Sequence, residues 1–148
     1  PAGETIVEFG GGECSTRALG ENYELYTIEH NDLWLEHTDY TTYIHAPIDG
    51  DWYDRKCLEG ELPTDIKMIF IDGPSGGATA NPAGAFWLRD GLLKNLDLFG
   101  DLENTMFLLH DTWRESDKNL ANELAATLNR ELVFYEEGNP KDYWAFIK

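Results

Sequence analysis

Basic side chains are scarce in this sequence. Its 148 residues carry 11 Lys and Arg against 28 Asp and Glu, a formal charge of −17. With no Lys/Arg cluster to displace counterions, no nucleic-acid partner is expected. The same charge argues against docking on anionic lipid. Long apolar runs are absent too. The longest spans five residues, Tyr143 to Ile147, too short for a transmembrane helix or a signal-peptide core, so no membrane partner is expected. Cysteine is limited to Cys14 and Cys57, 43 positions apart, without a CxxC or a framework spacing. They read as two free thiols in a reducing compartment, and the expected localisation is cytoplasmic. His30, His37 and His45 make no HExxH spacing, and the sequence holds no GxSxG, P-loop or Ser/His/Asp arrangement.

What is present is enough to fold. Hydrophobic residues at 42% and aromatics at 13% rule out a disordered acidic chain, and the length suits a single domain over residues 1–148. Most of the carboxylates read as a solvated acidic surface, with a field that steers a cationic ligand as the functional alternative. Short β-branched or aromatic runs alternate with amphipathic stretches, the pattern of a parallel α/β sheet. Strands are expected over 5–9, 24–29, 41–46, 67–72, 104–109, 131–136 and 142–147. Ser15 or Thr16 is expected to cap a short helix through Leu19, and Asn31 a helical turn carrying Leu33, Trp34 and Leu35. Asp49 to Pro63 reads as loop with a short helix. Ala85, Leu88, Leu92, Leu96 and Phe99 fall at helical spacing, as do Leu120, Leu124 and Leu128 in a helix starting at Ser116. The last two strands flank Glu137-Gly138-Asn139-Pro140, a turn suited only to an antiparallel hairpin. The expected fold class is therefore α/β: a Rossmann-like, doubly wound, mostly parallel seven-stranded sheet with a C-terminal antiparallel hairpin.

In such a sheet, ligands lie outside the carboxyl ends of the strands, at the topological switch point. The first strand ends in Glu8-Phe9-Gly10-Gly11-Gly12-Glu13-Cys14-Ser15, where glycines permit a tight turn and close backbone approach to a ligand. The second strand ends at Glu29, 19 positions after Gly10, where an acid can accept hydrogen bonds from both hydroxyls of a ribose. A plain tight turn and a solvated strand end are the alternative readings. A pyrophosphate wants a helix N-terminus free of nearby carboxylate, so Glu13 inside the loop leans against a dinucleotide. So does Ser15, which stands where the dinucleotide fingerprint has its third glycine.

The combination of Val7-Glu8-Phe9-Gly10-Gly11-Gly12, Thr27-Ile28-Glu29-His30, Phe70-Ile71-Asp72-Gly73-Pro74 and Leu108-Leu109-His110-Asp111 resembles a class I S-adenosylmethionine-dependent methyltransferase, across essentially the whole chain. The Ile-Asp-Gly-Pro segment is similar to the small-molecule O-methyltransferase-like branch. The resemblance implies methyl transfer from S-adenosylmethionine, as cofactor, to oxygen of a small-molecule acceptor. It implies that Gly10, Gly11 and Gly12 form the turn that binds the cofactor, Gly10 and Gly12 passing beneath its methionine part. Glu8 would help organise the ammonium group and Glu29 would hold the ribose. Asp49, with Pro47 and Ile48, would flank the adenine, and Asp72 would sit beside the methionine end and the incoming substrate. Acids suit a ligand carrying a sulfonium and an ammonium, and an in-line displacement asks the protein mainly to align and desolvate. Cys14 stands where the family often has its last motif glycine. The chain also begins four residues before its first expected strand, without the N-terminal helices that usually cover the cofactor. A homodimer is one way to close such a site.

Asp72 and Asp111 end strands expected to be neighbours, a place where metal-dependent O-methyltransferases share a divalent cation. An Asp-Asn pair is typical there, whereas Thr112 follows Asp111 here, and the expected reading is no metal. His110 and Asp111 are the candidate catalytic residues. His110 would serve as general base for a hydroxyl acceptor, its unperturbed pKa lying near neutrality, or else is simply hydrogen-bonded at a strand end. The loop from Gly73 to Gly84 has the composition of a mobile lid. Trp87, Arg89, Trp113 and Arg114 are candidates for lining an acceptor site. Burial of Trp87, and surface pairing of Arg89 with Asp90 and of Arg114 with Glu115, are the plainer readings. Two other functions remain open on the residues: an NAD-type dinucleotide-dependent oxidoreductase, and an inactive methyltransferase-like binding module.

Overall fold

The computed structural model describes residues 3–74 and 89–148. Seven strands make one sheet: β1 (Thr5–Phe9), β2 (Glu24–Glu29), β3 (Thr42–His45), β4 (Ile66–Ile71), β5 (Met106–His110), β6 (Leu132–Tyr135) and β7 (Trp144–Ile147). Their order across the sheet is 3-2-1-4-5-7-6. β1 to β5 run parallel, and β7 inserts antiparallel between β5 and β6. The expected doubly wound sheet with its terminal hairpin is what the chain forms. All five residues of β1 are buried, and β4 ends in three buried residues, because elements cover both faces of the central strands. The chain leaves β1 towards β2 and β3, then returns to build β4 and β5 on the other side. The switch point therefore lies between the ends of β1 and β4.

Among the described residues three α-helices flank the sheet: α1 (Ser15–Gly20), α2 (Arg55–Leu58) and α3 (Glu115–Leu128). Neither Ser15 nor Thr16 caps α1. Cys14 holds the cap position without a side-chain bond, because the Thr16 hydroxyl is turned inward onto Glu8. Asn31 does cap its helical turn, a 3₁₀ turn over Asp32–Trp34, by accepting from the Leu33 N–H. The stretch after Asp49 contains, besides the expected short helix, a two-stranded ribbon of Ile48–Asp49 and Trp52–Tyr53. Its cause is apolar: Trp52 and Tyr53 are buried, and each ring centroid lies 5.5 Å from that of Phe9.

The Ala85–Phe99 stripe is described from Arg89 onward, where it winds as a 3₁₀ helix over Arg89–Phe99 instead of an α-helix. Asn95 breaks it (φ −129°, ψ 18°), its side-chain amide donating to the Gly91 carbonyl at 2.8 Å and competing with the backbone ladder. Leu92 and Phe99 nevertheless reach the core. Residues 75–84 of the expected lid, together with Ala85, Trp87 and Leu88, lie outside the described residues. On the opposite flank, Leu120 and Leu124 bury one face of α3, which ends on the left-handed Asn129 (φ 53°). Cys14 and Cys57 are free thiols. Among the described residues no helix is long and apolar enough to cross a membrane.

Phe9 joins β1 to the ribbon and to Phe99, whose ring centroid lies 5.9 Å away. Truncating a side chain that is 1% exposed removes its burial and leaves a cavity. Phe9→Ala is expected to lower the unfolding free energy by about 3–5 kcal/mol in urea denaturation. A loss under about 1 kcal/mol would contradict this placement of the core.

Candidate functional site

The two chains that leave the sheet at the switch point touch through glycine. The Gly10 N–H donates to the Ile28 carbonyl and the Asp72 N–H to the Phe9 carbonyl, both at 2.9 Å. Gly10 has φ +86°, and a Cβ there would stand 2.8 Å from the Cα and N of Gly73. A Cβ on Gly73 would stand 2.6 Å from Gly10 Cα and 2.5 Å from the Tyr53 hydroxyl. Both positions therefore require glycine. The crossing brings the β1 turn and the β4 turn to one spot.

Beneath the glycine turn, Glu8 is fully buried. Its Oε2 accepts from the Thr16 hydroxyl at 2.6 Å and the Thr27 hydroxyl at 3.0 Å, while Thr16 Oγ1 accepts from the Gly12 N–H at 2.9 Å. Burial pushes the Glu8 pKa up, and the hydroxyls of Thr16, Ser15 and Thr27 offset that only in part. Glu8 thus acts on the turn through Thr16.

Glu29, 3% exposed at the end of β2, is organised by backbone. Oε1 accepts from the N–H groups of His30 and Asn31 at 2.7 and 2.8 Å, and Oε2 from the Gly11 N–H at 2.9 Å. Burial works to raise its pKa, but the bonds from His30, Asn31 and Gly11 outweigh it and hold the carboxyl below its ordinary value. Gly10, Gly11, Glu29 and Asp72 line one cavity of about 230 Å³, together with Asn31, Trp34 and Gly73. Asp49 stands exposed on the ribbon and is not part of that lining. The Trp34 wall and the backbone of residues 30–31 had no sequence signal beyond the Asn31 cap.

Beyond Asp72 the carboxyl ends of β4 and β5 carry a charge network around Arg89. This side chain is not paired at the surface with Asp90; it is 4% exposed. Nη1 donates to Asp117 Oδ1 at 2.9 Å and to the His110 carbonyl at 3.0 Å. Nη2 lies 3.2 Å from Asp72 Oδ1 and 3.2 Å from Asp111 Oδ2, and also donates to the Asp72 carbonyl. Arg114 pairs with Asp111 Oδ2 at 2.8 Å, where Glu115 had been the expected partner, and its guanidinium lies 5.3 Å from the Trp113 ring. The other oxygen of Asp111 accepts from the Trp113 indole at 3.1 Å. Asp111 itself adopts φ 64°, a left-handed conformation that aspartate tolerates better than most residues. The physical reason for the correction is convergence of charge: Asp72, Asp111 and the buried Asp117 meet at one place, and a guanidinium with five donors can bond all three at once, which one exposed Asp90 partner cannot match.

His110 is held at both ring nitrogens. Nδ1 lies 3.0 Å from Asp72 Oδ1 and Nε2 3.1 Å from the Lys141 carbonyl, and the ring packs tilted against Trp144 with centroids 4.4 Å apart. Both partners are acceptors, so both nitrogens donate and this geometry belongs to the imidazolium. The Asp72 carboxylate raises the His110 pKa above the ordinary 6.5, against a smaller opposing effect of burial.

No family profile matches the sequence and no curated protein matches it. Solved structures do. The C-terminal domain of precorrin-6Y C5,15-methyltransferase from Rhodobacter capsulatus superposes with a TM-score of 0.60 at 15% identity, covering 99% of this chain and 80% of that one. The N-terminal domain of human METTL16 gives 0.62 at 13% identity, covering 98% of this chain and 60% of that one. That domain is also known in complex with SAH. MycE methyltransferase from the mycinamycin biosynthetic pathway, in complex with Mg and SAH, gives 0.58 at 13% identity, covering 98% of this chain and 41% of that one. The fold is that of the class I S-adenosylmethionine-dependent methyltransferases. Within this methyltransferase fold, the glycine turn, Glu29 and Asp72 occupy the switch point, and the Arg89 network occupies the adjoining strand ends.

A divalent cation is a poor fit to those strand ends. Asp72, His110 and Asp111 offer ligand atoms within 4.8 Å of one another, but Arg89 Nη2 already lies 3.2 Å from an oxygen of each aspartate.

The His110 contacts have a pH signature. A group whose folded pKa is raised adds stability that is complete below its unfolded value and is lost as pH rises through the folded value. Wild-type stability is therefore expected to fall on the alkaline side of pH 6.5, the ordinary imidazole value. Thermal unfolding across pH should show that loss in the wild type and not in His110→Gln. Identical alkaline profiles would mean that Asp72 does not hold the imidazolium.

Proposed function

We propose that this protein transfers the methyl group of S-adenosylmethionine to an oxygen of a small-molecule acceptor. The observation that carries the reading is the cavity at the switch point, where the backbone of Gly10 and Gly11 meets two acids, Glu29 and Asp72. The residues fit the cofactor: a crossing that any Cβ at Gly10 or Gly73 would obstruct, and carboxylates for a ligand bearing positive charge and hydroxyls. They do not suit a dinucleotide. α1 has six residues, its cap position follows Glu13, and a pyrophosphate finds no long helix N-terminus to sit on.

When bound, S-adenosylmethionine supplies an electrophilic methyl carbon on a sulfonium. Glu29 would accept from a ribose hydroxyl through Oε2, which has the Gly11 N–H as partner, while Oε1 is committed to His30 and Asn31. Trp34 would wall the adenosine side. Asp72 would stand opposite the ammonium. Glu8 and Gly12, tied through Thr16, would keep the turn in shape.

On the acceptor side, Asp72 fixes the His110 tautomer. In the neutral ring Nδ1–H donates to Asp72, and Nε2 becomes the basic nitrogen. Nε2 then repels the Lys141 carbonyl it faces, so the neutral form is also the one released to accept a proton from an acceptor hydroxyl. Asp111, holding Arg89, Arg114 and Trp113, keeps the rim in place. Most of the rate would come from alignment and exclusion of water, as an in-line displacement requires.

Calorimetry with S-adenosylhomocysteine tests the donor site. Binding tighter than about 1 mM is expected, and Glu29→Gln should weaken it roughly 10- to 100-fold, the worth of a hydrogen bond to a charged acceptor. No binding, or NAD binding in its place, would overturn the assignment. Methyl transfer measured over a panel of hydroxylated small molecules separates enzyme from binding module: a chain that binds S-adenosylhomocysteine and methylates none of them is the module.

A further inference from the structure

The cluster of Asp72, His110 and Asp111 has the ligand types and spacing of a cation site. Yet a cation of fixed charge already stands in it. Arg89 Nη2 lies at 3.2 Å from Asp72 Oδ1 and at 3.2 Å from Asp111 Oδ2, bridging the two carboxylates that a shared metal would bridge. The rest of the side chain is anchored away from the cluster, by Asp117 Oδ1 at 2.9 Å on α3, the His110 carbonyl at 3.0 Å and the Pro74 carbonyl at 3.4 Å. Arg114 adds a second guanidinium on Asp111 at 2.8 Å.

We propose that Arg89 is the resident cation of this site, its guanidinium occupying the place of a divalent metal between Asp72 and Asp111 and orienting both carboxylates. Arginine stays charged at every relevant pH. A metal dissociates, and its occupancy follows concentration; a side chain tied to β4, β5 and α3 does not. A dication entering beside it would meet a buried guanidinium within contact distance, in surroundings of low dielectric. Arg89 is a positioning residue in this account: it sets the direction of the Asp72 carboxylate, which in turn holds His110. That part rests on the proposed methyl transfer. The occupation of the cation position does not.

Titration with Mn²⁺ alone, followed by electron paramagnetic resonance, tests the proposal without reference to activity. The wild type and Asp111→Asn are expected to show the same weak binding, that of an acidic surface. Arg89→Gln, checked for folding by circular dichroism, should gain a site at least about tenfold tighter, lost again in the Arg89→Gln/Asp111→Asn double variant. Arg89→Lys, which keeps the charge, should gain none. The proposal is overturned if the wild type binds Mn²⁺ about tenfold tighter than Asp111→Asn, because a metal would then sit beside Arg89. It is overturned equally if folded Arg89→Gln gains no site. Should Arg89→Gln fail to fold, the comparison of wild type with Asp111→Asn decides alone. Failure of the methyl-transfer reading would appear elsewhere, as absent S-adenosylhomocysteine binding with these metal titrations unchanged.

Discussion

One guanidinium holds the working end of this molecule together. Arg89 is 4% exposed, and its donors reach Asp72 at the end of β4, Asp111 after β5 and Asp117 in the first turn of α3. In a chain of net charge −17, three carboxylates at neighbouring strand and helix ends would repel one another if left alone. The buried cation converts that repulsion into a joint. Removing one partner of such a buried network costs about 3–5 kcal/mol, because the remaining charges are left uncompensated away from water. The same joint bonds Asp72, whose carboxylate in turn holds Nδ1 of His110.

The neighbouring half of the site depends on geometry more than on charge. Gly10 and Gly73 cross with no room for a side chain, so the turns after β1 and β4 share one location. Glu29 reaches that location through the backbone N–H groups of Gly11, His30 and Asn31, which together keep a buried carboxylate ionised. The acid and the glycine turn are thus parts of one hydrogen-bonded unit. The unit forms because β1 and β2 pair in register, Phe9 opposite Ile28.

Local patterns in the sequence carried the architecture. The buried runs of β1, β4 and β5 and the tight turn before β7 fix a parallel sheet with an antiparallel end, and these depend on neighbours in the chain. Gly10, Gly11, Glu29 and Asp72 were legible for the same reason: each sits at the end of a strand that reads clearly. What was illegible was long-range. Arg89 and Asp117 are 28 positions apart, and nothing local marks them as a pair. The inward turn of Thr16 onto Glu8 defeated the helix-cap reading, since a hydroxyl chooses its partner by what lies beneath it. The ribbon carrying Asp49 was hidden because two residues per strand show no alternation. Asp49 accordingly stands apart from the cavity, while His110 is hydrogen-bonded at its strand end, as one of its two sequence readings had it, through partners 38 and 31 positions away that nothing local marks.

The cavity between the ends of β1, β2 and β4 is the proposed seat of S-adenosylmethionine. Backbone amide chemical shifts recorded during titration with S-adenosylhomocysteine test it most directly. The largest changes are expected on Gly10, Gly11, Glu29, His30 and Asn31, with little change at Asp65, Thr105 and Asn104 at the opposite end of the sheet. Changes concentrated at that opposite end, or none at all, would contradict it.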